Sequence, residues 1–548
     1  MCSSPDALAE VDDAITSGAA NTTASAETQR IRYVTARLRD FFDSSTPWQR
    51  RLWDAGAVLG LRELHDAITW SDTKVLSHSA AKWLAGDLER LLGRDRGVGD
   101  KTLHSQLQRL LRAPLANSNA HHRALAEITA LIDSQYLARW AAAASEHDRL
   151  PSPERFARAV GTHLLDAGFS SQFLRDWVNR LSPSTLSEIA EAACELTSSP
   201  AHEYELLIPI ARVQDLDGNL KTSQDWLPAR ETVSWFRAHG VSSEQRHNGG
   251  FRYVISARDA YAAADLGRET IDRMRARATY SRKNARLEPN GELWVGGLNR
   301  PVPLTRPSRG AFVLSLVSEK LLYAVGHRSA LDNALEVASS LNEGPPAAAI
   351  SGSWSAVESL LLAPADEAEG GRGALAADRM ASLITCSWPR ADLTALSYRH
   401  KPPSSDRLTV ELNGADTNRD RAETVLKWMK GGNALNLESA SDVAAAARMS
   451  QLVSAPRRTL GDIQKHMVTA MRRVYRHRNL VVHGGAVNVD TLPMTLRTAA
   501  PLIGAGLDRV THAALVDGTH PVDLAVRADL RLSLLDTSAG RSLVDLLE

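Results

Sequence analysis

Apolar residues recur every three to four positions along most of this chain, the spacing of helices that bury one face. Between about 29 and 200 that period predicts helices over 31–42, 48–68, 81–92, 103–111, 124–140, 153–165 and 173–181. Breaks containing proline and serine separate them at 151–153, 182–184 and 199–200. From about 201 to 310 the period shortens. Segments 206–213, 251–255 (after the Asn248-Gly249-Gly250 turn) and 292–295 read as strands, with helices over 230–239 and 257–280 between them. From 311 helical spacing returns. It predicts one long helix over 312–341, a helix around 354–358, another over 375–385 with Cys386 on its apolar face, then 422–429, 442–452, 460–482 and 493–516. Leu408-Thr409-Val410-Glu411-Leu412 alternates like a strand. Residues 1–28, rich in Ala, Ser, Thr and Asp, are expected to be a partly disordered tail with a short helix over 5–15 at most.

The fold class that follows is mainly α and multi-domain. A helical region at 29–200 precedes a small α+β module at 201–310, fit for sensing or docking, and a helical bundle fills 311–548. The 548 residues exceed what one hydrophobic core supports, which calls for two to four domains. Lys+Arg and Asp+Glu each total 64, so bulk charge does not advertise nucleic-acid binding, and any RNA site must be a local patch. Cys2, Cys194 and Cys386 are odd in number and far apart, against a disulfide framework and in keeping with a reducing cytosol. With no long apolar span and no basic-then-apolar leader, the expectation is a cytoplasmic chain without membrane contact.

Candidate chemistry concentrates in Tyr475-Arg476-His477-Arg478-Asn479-Leu480-Val481-Val482-His483-Gly484-Gly485. A guanidinium can hold a phosphate with a planar fork, an imidazole can move a proton near neutral pH, and an amide can orient both. Tyr475, Asn479 and His483 are four apart and share one helix face, and the glycine pair favours a helix end. Arg478 precedes His483 by five residues, which turns it roughly 140° around the axis. One straight helix is therefore expected to keep the two apart, unless it distorts near Gly484 or a second copy supplies the facing groups.

Two segments resemble one known family. Arg478-Asn479-Leu480-Val481-Val482-His483 resembles the Arg-x4-His signature of HEPN domains, and the flanking Tyr475 and Gly484-Gly485 are similar to its Apea-like branch. Trp354-Ser355-Ala356-Val357-Glu358-Ser359-Leu360 resembles the Trp-x-Ala-Leu-Glu-x-Leu helix of those domains, with Val357 where Leu is usual. The resemblance covers roughly the last 230 residues. It implies a HEPN-like helical bundle and a metal-independent endoribonuclease without a cofactor, with RNA as substrate. It also implies a homodimer through the C-terminal domain and a toxin or anti-phage defence setting. His483 would transfer protons, Arg478 would stabilise phosphoryl charge, and Asn479 would hold the phosphate or fix the imidazole tautomer. Glu358 could pair with Arg478, and Tyr475 and His477 would support the site. A nuclease of this size needs restraint, which points to gating by the N-terminal domains or by a regulatory partner or trigger. The alternative is a non-catalytic module of the same fold that binds RNA or protein.

The densest basic run, Arg268, Arg273, Arg275, Arg277, Arg282, Lys283 and Arg286 with Tyr280 among them, is a further candidate RNA surface, Arg275 and Arg277 foremost. A solvated helix face is its commoner meaning. Other chemistries find no support. His121-His122 lacks further metal ligands nearby, Asp215–Asn219 lacks the spacing of a calcium loop, and Ser351–Ser355 is not a nucleophile elbow. Gly370-Gly371-Arg372-Gly373 reads as a flexible link.

Overall fold

The computed structural model describes residues 21–51, 55–114, 119–146, 150–215, 218–241, 246–281, 285–325, 329–367, 370–486, 489, 491–537 and 540–548. The protein is mainly α, with one small antiparallel sheet. Asn21–Phe42 is a helix, so 21–28 belong to it rather than to a tail; the rest of the expected tail and its 5–15 helix lie outside the described residues.

The chain divides into two compact units. The first joins the described residues up to His163 with Leu181–Cys194 and Arg309–Glu548; the second comprises Leu164–Arg180 and Glu195–Ser308. The chain passes between the units at Cys194/Glu195 and at Ser308/Arg309, close to the expected limits at 200 and 310, but the stretches on either side of the second unit are not separate. The N-terminal helices and the C-terminal bundle form one body, because buried charges tie them together. Arg50, in the 3-10 turn Trp48–Arg50, meets Asp442 at 2.6 Å and Asp392 at 3.3 Å, all three buried. Trp388 donates its indole N–H to the Gln49 carbonyl at 3.2 Å. Removing either member of such a pair would strand a buried charge, so these contacts hold only together.

In the first unit the helix Arg372–Ser397 is the hub, packed against Pro346–Leu361, Asn418–Lys430, Ala440–Ser454, Pro456–Gly484, Thr491–Leu515 and Pro521–Ser533. Trp354, Met380, Ile384, Leu393, Met467, Met471, Val474, Leu496 and Ile503 fill the core among these helices. Gly506 lets two of them approach closely: a Cβ there would stand 2.1 Å from the Met380 sulfur. Cys386 is buried in this core as its apolar face predicts, and burial pushes its thiol pKa up.

The second unit holds the sheet. Its strands are β1 (His202–Val213), β2 (Trp226–Pro228), β3 (Gly249–Ala257), β4 (Leu287–Pro289), β5 (Glu292–Val295) and β6 (Val302–Pro303). They run in the order β2-β3-β1-β5-β6, with β4 also on β1. The period of two along β1 sends Leu206, Ile208 and Ile210 toward helix Ala260–Tyr280, and Leu207 toward Trp235 and Phe236 of helix Ala229–Ala238. Pro209 sits in this central strand without breaking it. Its carbonyl accepts from Asn290 in the β4–β5 turn, so its missing N–H faces the gap where β1 changes partner from β5 to β4. Among the described residues no helix is long and apolar enough to cross a membrane.

Several local expectations fail: 124–140 divides into Asn119–Asp133 and Tyr136–Ser145, and 48–68 into the 3-10 turn Trp48–Arg50 and the helix Ala57–Asp72. Segment 408–412 is not a strand but part of the helix Arg407–Asn413, because the Asp406 carboxylate accepts from the Thr409 N–H at 2.8 Å and starts a helix there. Segment 312–341 is not one helix. It breaks into Ser315–Ser318, Ala330–Val337 and Ser340–Glu343. Asp508 takes both the N–H and the hydroxyl of Ser315 at 2.7 Å, and the Asn342 side chain takes the N–H groups of Gly310 and Ala311. These contacts anchor the start of the segment, and the first short helix ends where Lys320 turns left-handed at φ 60°, with the Leu321 N–H returned to the Leu316 carbonyl.

Candidate functional site

The segment that carries the candidate chemistry lies on the helix Pro456–Gly484. Proline at its first turn suits a helix start, and Leu460, Met467, Met471 and Val474 face the bundle core. Gly485 ends it in the left-handed region at φ 64°, with its own N–H and that of Ala486 both returned to the Leu480 carbonyl. Three turns of this helix present two different faces.

One face is covered by the N-terminal helices Ala57–Asp72, His78–Leu92 and Pro153–Asp166. His466 meets Arg158 at 3.3 Å, and Thr469 donates to Asp87 at 2.9 Å. The Arg472 guanidinium lies 4.6 Å over the Trp83 ring. Arg473 and Arg476 converge on Glu63 at 2.7 and 2.6 Å, all three buried. Burial alone would raise the Glu63 carboxyl; the two guanidiniums override it and hold the carboxyl well below the usual range. A Cβ at Gly484 would come within 3.1 Å of Trp70 and Val75. His477 is interior as well. Its Nδ1 faces the Arg473 carbonyl at 3.0 Å and its Nε2 the Thr491 hydroxyl at 2.6 Å. A carbonyl only accepts, so Nδ1 carries the proton and the Thr491 hydroxyl donates to Nε2. Burial pulls this imidazole down to about 4, against the attraction of Glu63. His477 is 1% exposed and packs the helix, which leaves it a supporting position and no contact with RNA.

The other face lines an open cleft of about 730 Å³. Tyr475, Arg478, Asn479 and His483 form one wall, and Ser355, Glu358 and Ser359 of Pro346–Leu361 another. Arg372 and Gly373 close it from the start of the hub helix, and Val75 and Ser77 from the N-terminal region. Arg478 Nη1 lies 3.1 Å from His483 Nε2 and 3.0 Å from Asn479 Oδ1. The helix runs to Gly484, so the expected separation of Arg478 and His483 on one helix does not hold. Cβ bonds tilt toward the helix N-terminus, so His483 leans back toward the 478 turn and the long arginine arm covers the remaining distance. A guanidinium has no acceptor, so this contact uses an unprotonated Nε2. Asn479 orients the guanidinium rather than the imidazole. Glu358 Oε2 stands 3.7 Å from Arg478 Nη2, which brings together the two segments that carry the family resemblance. Tyr475 supports the wall: its ring packs 5.4 Å from that of Trp354 and lies where a Cβ on Gly373 would stand only 2.3 Å away.

Arg275 and Arg277 belong to the other unit and do not line this cleft. Both are exposed, and the run around them is matched by acids. Arg273 meets Glu269 at 3.2 Å, Arg275 meets Asp272 at 3.6 Å, and Arg306 reaches Asp272 at 2.9 Å. Arg268 is buried and donates to the Pro303 carbonyl. Arg282 and Lys283 lie outside the described residues.

Sequence reasoning missed Glu63, Val75, Ser77 and Arg372. Glu63 left a signal: it is a carboxylate on the buried face of its helix, beside Leu59, Leu64 and Ala67. The others left none, since only the fold brings them to the cleft. No protein-family model, no curated protein and no solved structure matches the chain, so the functional reading rests on the site itself.

Proposed function

We propose that this protein is a metal-independent endoribonuclease, acting in the cytoplasm as a toxin or anti-phage defence effector. The observation that carries the reading is the pairing of Arg478 and His483, 3.1 Å apart at an open cleft rather than packed in the core. In the reaction the ribose 2′-hydroxyl gives its proton to His483 Nε2 as its oxygen bonds to the adjacent phosphorus. The bond from phosphorus to the 5′-oxygen breaks, and that oxygen takes a proton from water or from the imidazolium of a second copy. The products are a 2′,3′-cyclic phosphate and a 5′-hydroxyl. Arg478 turns from His483 to the non-bridging oxygens, where charge builds, while Asn479 keeps the guanidinium in register. A homodimer through the C-terminal domain has to approach from the open end of the helix, where Val482 and His483 are exposed. The covered face from His466 to Arg476 offers no room.

One observation favours a second reading, a HEPN-like module that binds RNA or protein without cutting. The Arg478 guanidinium already has Asn479, His483 and Glu358 as partners. Purified protein incubated with cellular RNA in EDTA, beside His483→Ala and Arg478→Ala, separates the two. Cleavage that leaves cyclic-phosphate ends and vanishes in both variants supports the nuclease. Equal cleavage by all three proteins places the activity elsewhere, and RNA retention without cleavage favours the binding module.

A further inference from the structure

The stretch Gly370-Gly371-Arg372-Gly373 looks like a link in the sequence, yet the fold makes it a wall of the cleft. We propose that Arg372 is a second phosphate-binding group of this site, holding a phosphate of the same RNA strand other than the one cleaved at His483. The inference rests on the nuclease reading and adds a residue to it.

Three observations support it. First, Arg372 is exposed but held. Its Nη1 donates to the carbonyls of Ala363, Pro364 and Asp366 at 3.0, 3.1 and 3.3 Å, which restricts an arm that would otherwise sample many rotamers. Second, among the described residues it makes no ion pair, and Asp366 feels its charge only as a minor influence beside Arg379. The nearest acid of that turn, Asp366, is taken by Arg379, with Nη2–Oδ1 at 3.1 Å and a closer Nη1–Oδ2 pair. Arg478 by contrast shares its charge with Glu358. A phosphodiester on Arg478 therefore meets a cation that already has a carboxylate partner, whereas Arg372, among the described residues, has none at ion-pair distance. Third, the position is set apart from the reacting groups. Gly373 abuts Tyr475, and Tyr475 is two helical turns, about 12 Å, before His483. That offset is measured from the reacting imidazole, so Arg372 enters the cleft at the end away from His483, where a neighbouring phosphate of the strand would run.

The test is binding of a short 2′-O-methyl RNA, which has no attacking hydroxyl, by the full chain across a salt series. Arg372→Gln should weaken binding about tenfold and flatten the dependence of log Kd on log salt by about 0.7, the share of one single-strand phosphate contact. Arg372→Lys keeps the charge and loses the fork, and should restore the salt slope. That rescue separates charge from a fold defect, because either variant loosens the 363–366 turn. An unchanged slope in Arg372→Gln, no rescue by a folded Arg372→Lys, or no RNA binding by the intact protein overturns the inference. Failure of the nuclease reading has another signature: binding that depends on Arg372, with unmethylated RNA left intact in EDTA.

Discussion

Arg473 with His477 and Arg478 with His483 occupy the same helix within about three turns, carry the same residue types, and have opposite fates. The first pair is buried, with Arg473 paired to Glu63 and His477 hydrogen-bonded to Thr491, and spends its bonds on holding helices together. The second is open, oriented by Asn479, and faces a cleft. Nothing in the side chains distinguishes them. What lies opposite each pair does: a covering helix for one, solvent for the other.

The largest effect that sharpens this contrast is on activity. His483→Ala should lower RNA cleavage about 10²–10⁴-fold, the usual worth of a positioned proton-transfer group. Its stability should stay within about 0.5 kcal/mol, as for other exposed sites, in a denaturant titration. If His483→Ala instead unfolds the protein, the two pairs are alike and the contrast is lost. Next comes Glu63→Ala, which leaves two guanidiniums buried without a partner. It should cost about 3–5 kcal/mol, read from the shift in urea midpoint. A smaller and pH-dependent effect belongs to His477. Its folded pKa of about 4 lies below the unfolded value near 6.5, so in that window the unfolded chain binds a proton that the folded chain refuses. Stability should therefore be full above pH 7 and fall by up to about 3 kcal/mol as pH drops toward 4. His477→Gln should flatten that slope. The smallest effect is expected from Arg275→Ala with Arg277→Ala: exposed and set among acids, they should change stability by less than about 0.5 kcal/mol. A change in RNA affinity at these positions would revive the basic run as a contact surface.

The long, strongly periodic helices were legible, because apolar spacing alone decides which face is buried; the motif helix, expected over 460–482, spans Pro456–Gly484. Strands β1, β3 and β5 were legible from their apolar runs and turns, whereas β2, β4 and β6 were too short to show a pattern. Segment 408–412 misled because Thr409 and Val410 favour strands, while the deciding group, Asp406, acts through a single cap. Segment 312–341 misled because the left-handed turn at Lys320 ends its first helix without interrupting the apolar spacing. For the site, the reacting side chains were visible in the eleven residues from Tyr475 to Gly485, but their contact was not. Angles around a helix axis describe where side chains start, and an arginine ends far from there. The residues that frame the cleft, Ser77 and Arg372 above all, are neighbours of the motif only after folding.

Glu63 and Arg473 are separated by 410 residues. At the usual pace of synthesis, about 5–20 residues per second, the carboxylate emerges from the ribosome roughly 20–80 s before its two arginines. The helices that cover the motif are thus made first and wait for it. Whatever the cleft does, it is completed against a surface already in place. A translation pause or a break between these regions would release the carboxylate side without the arginines, and never the arginines without first having made their cover.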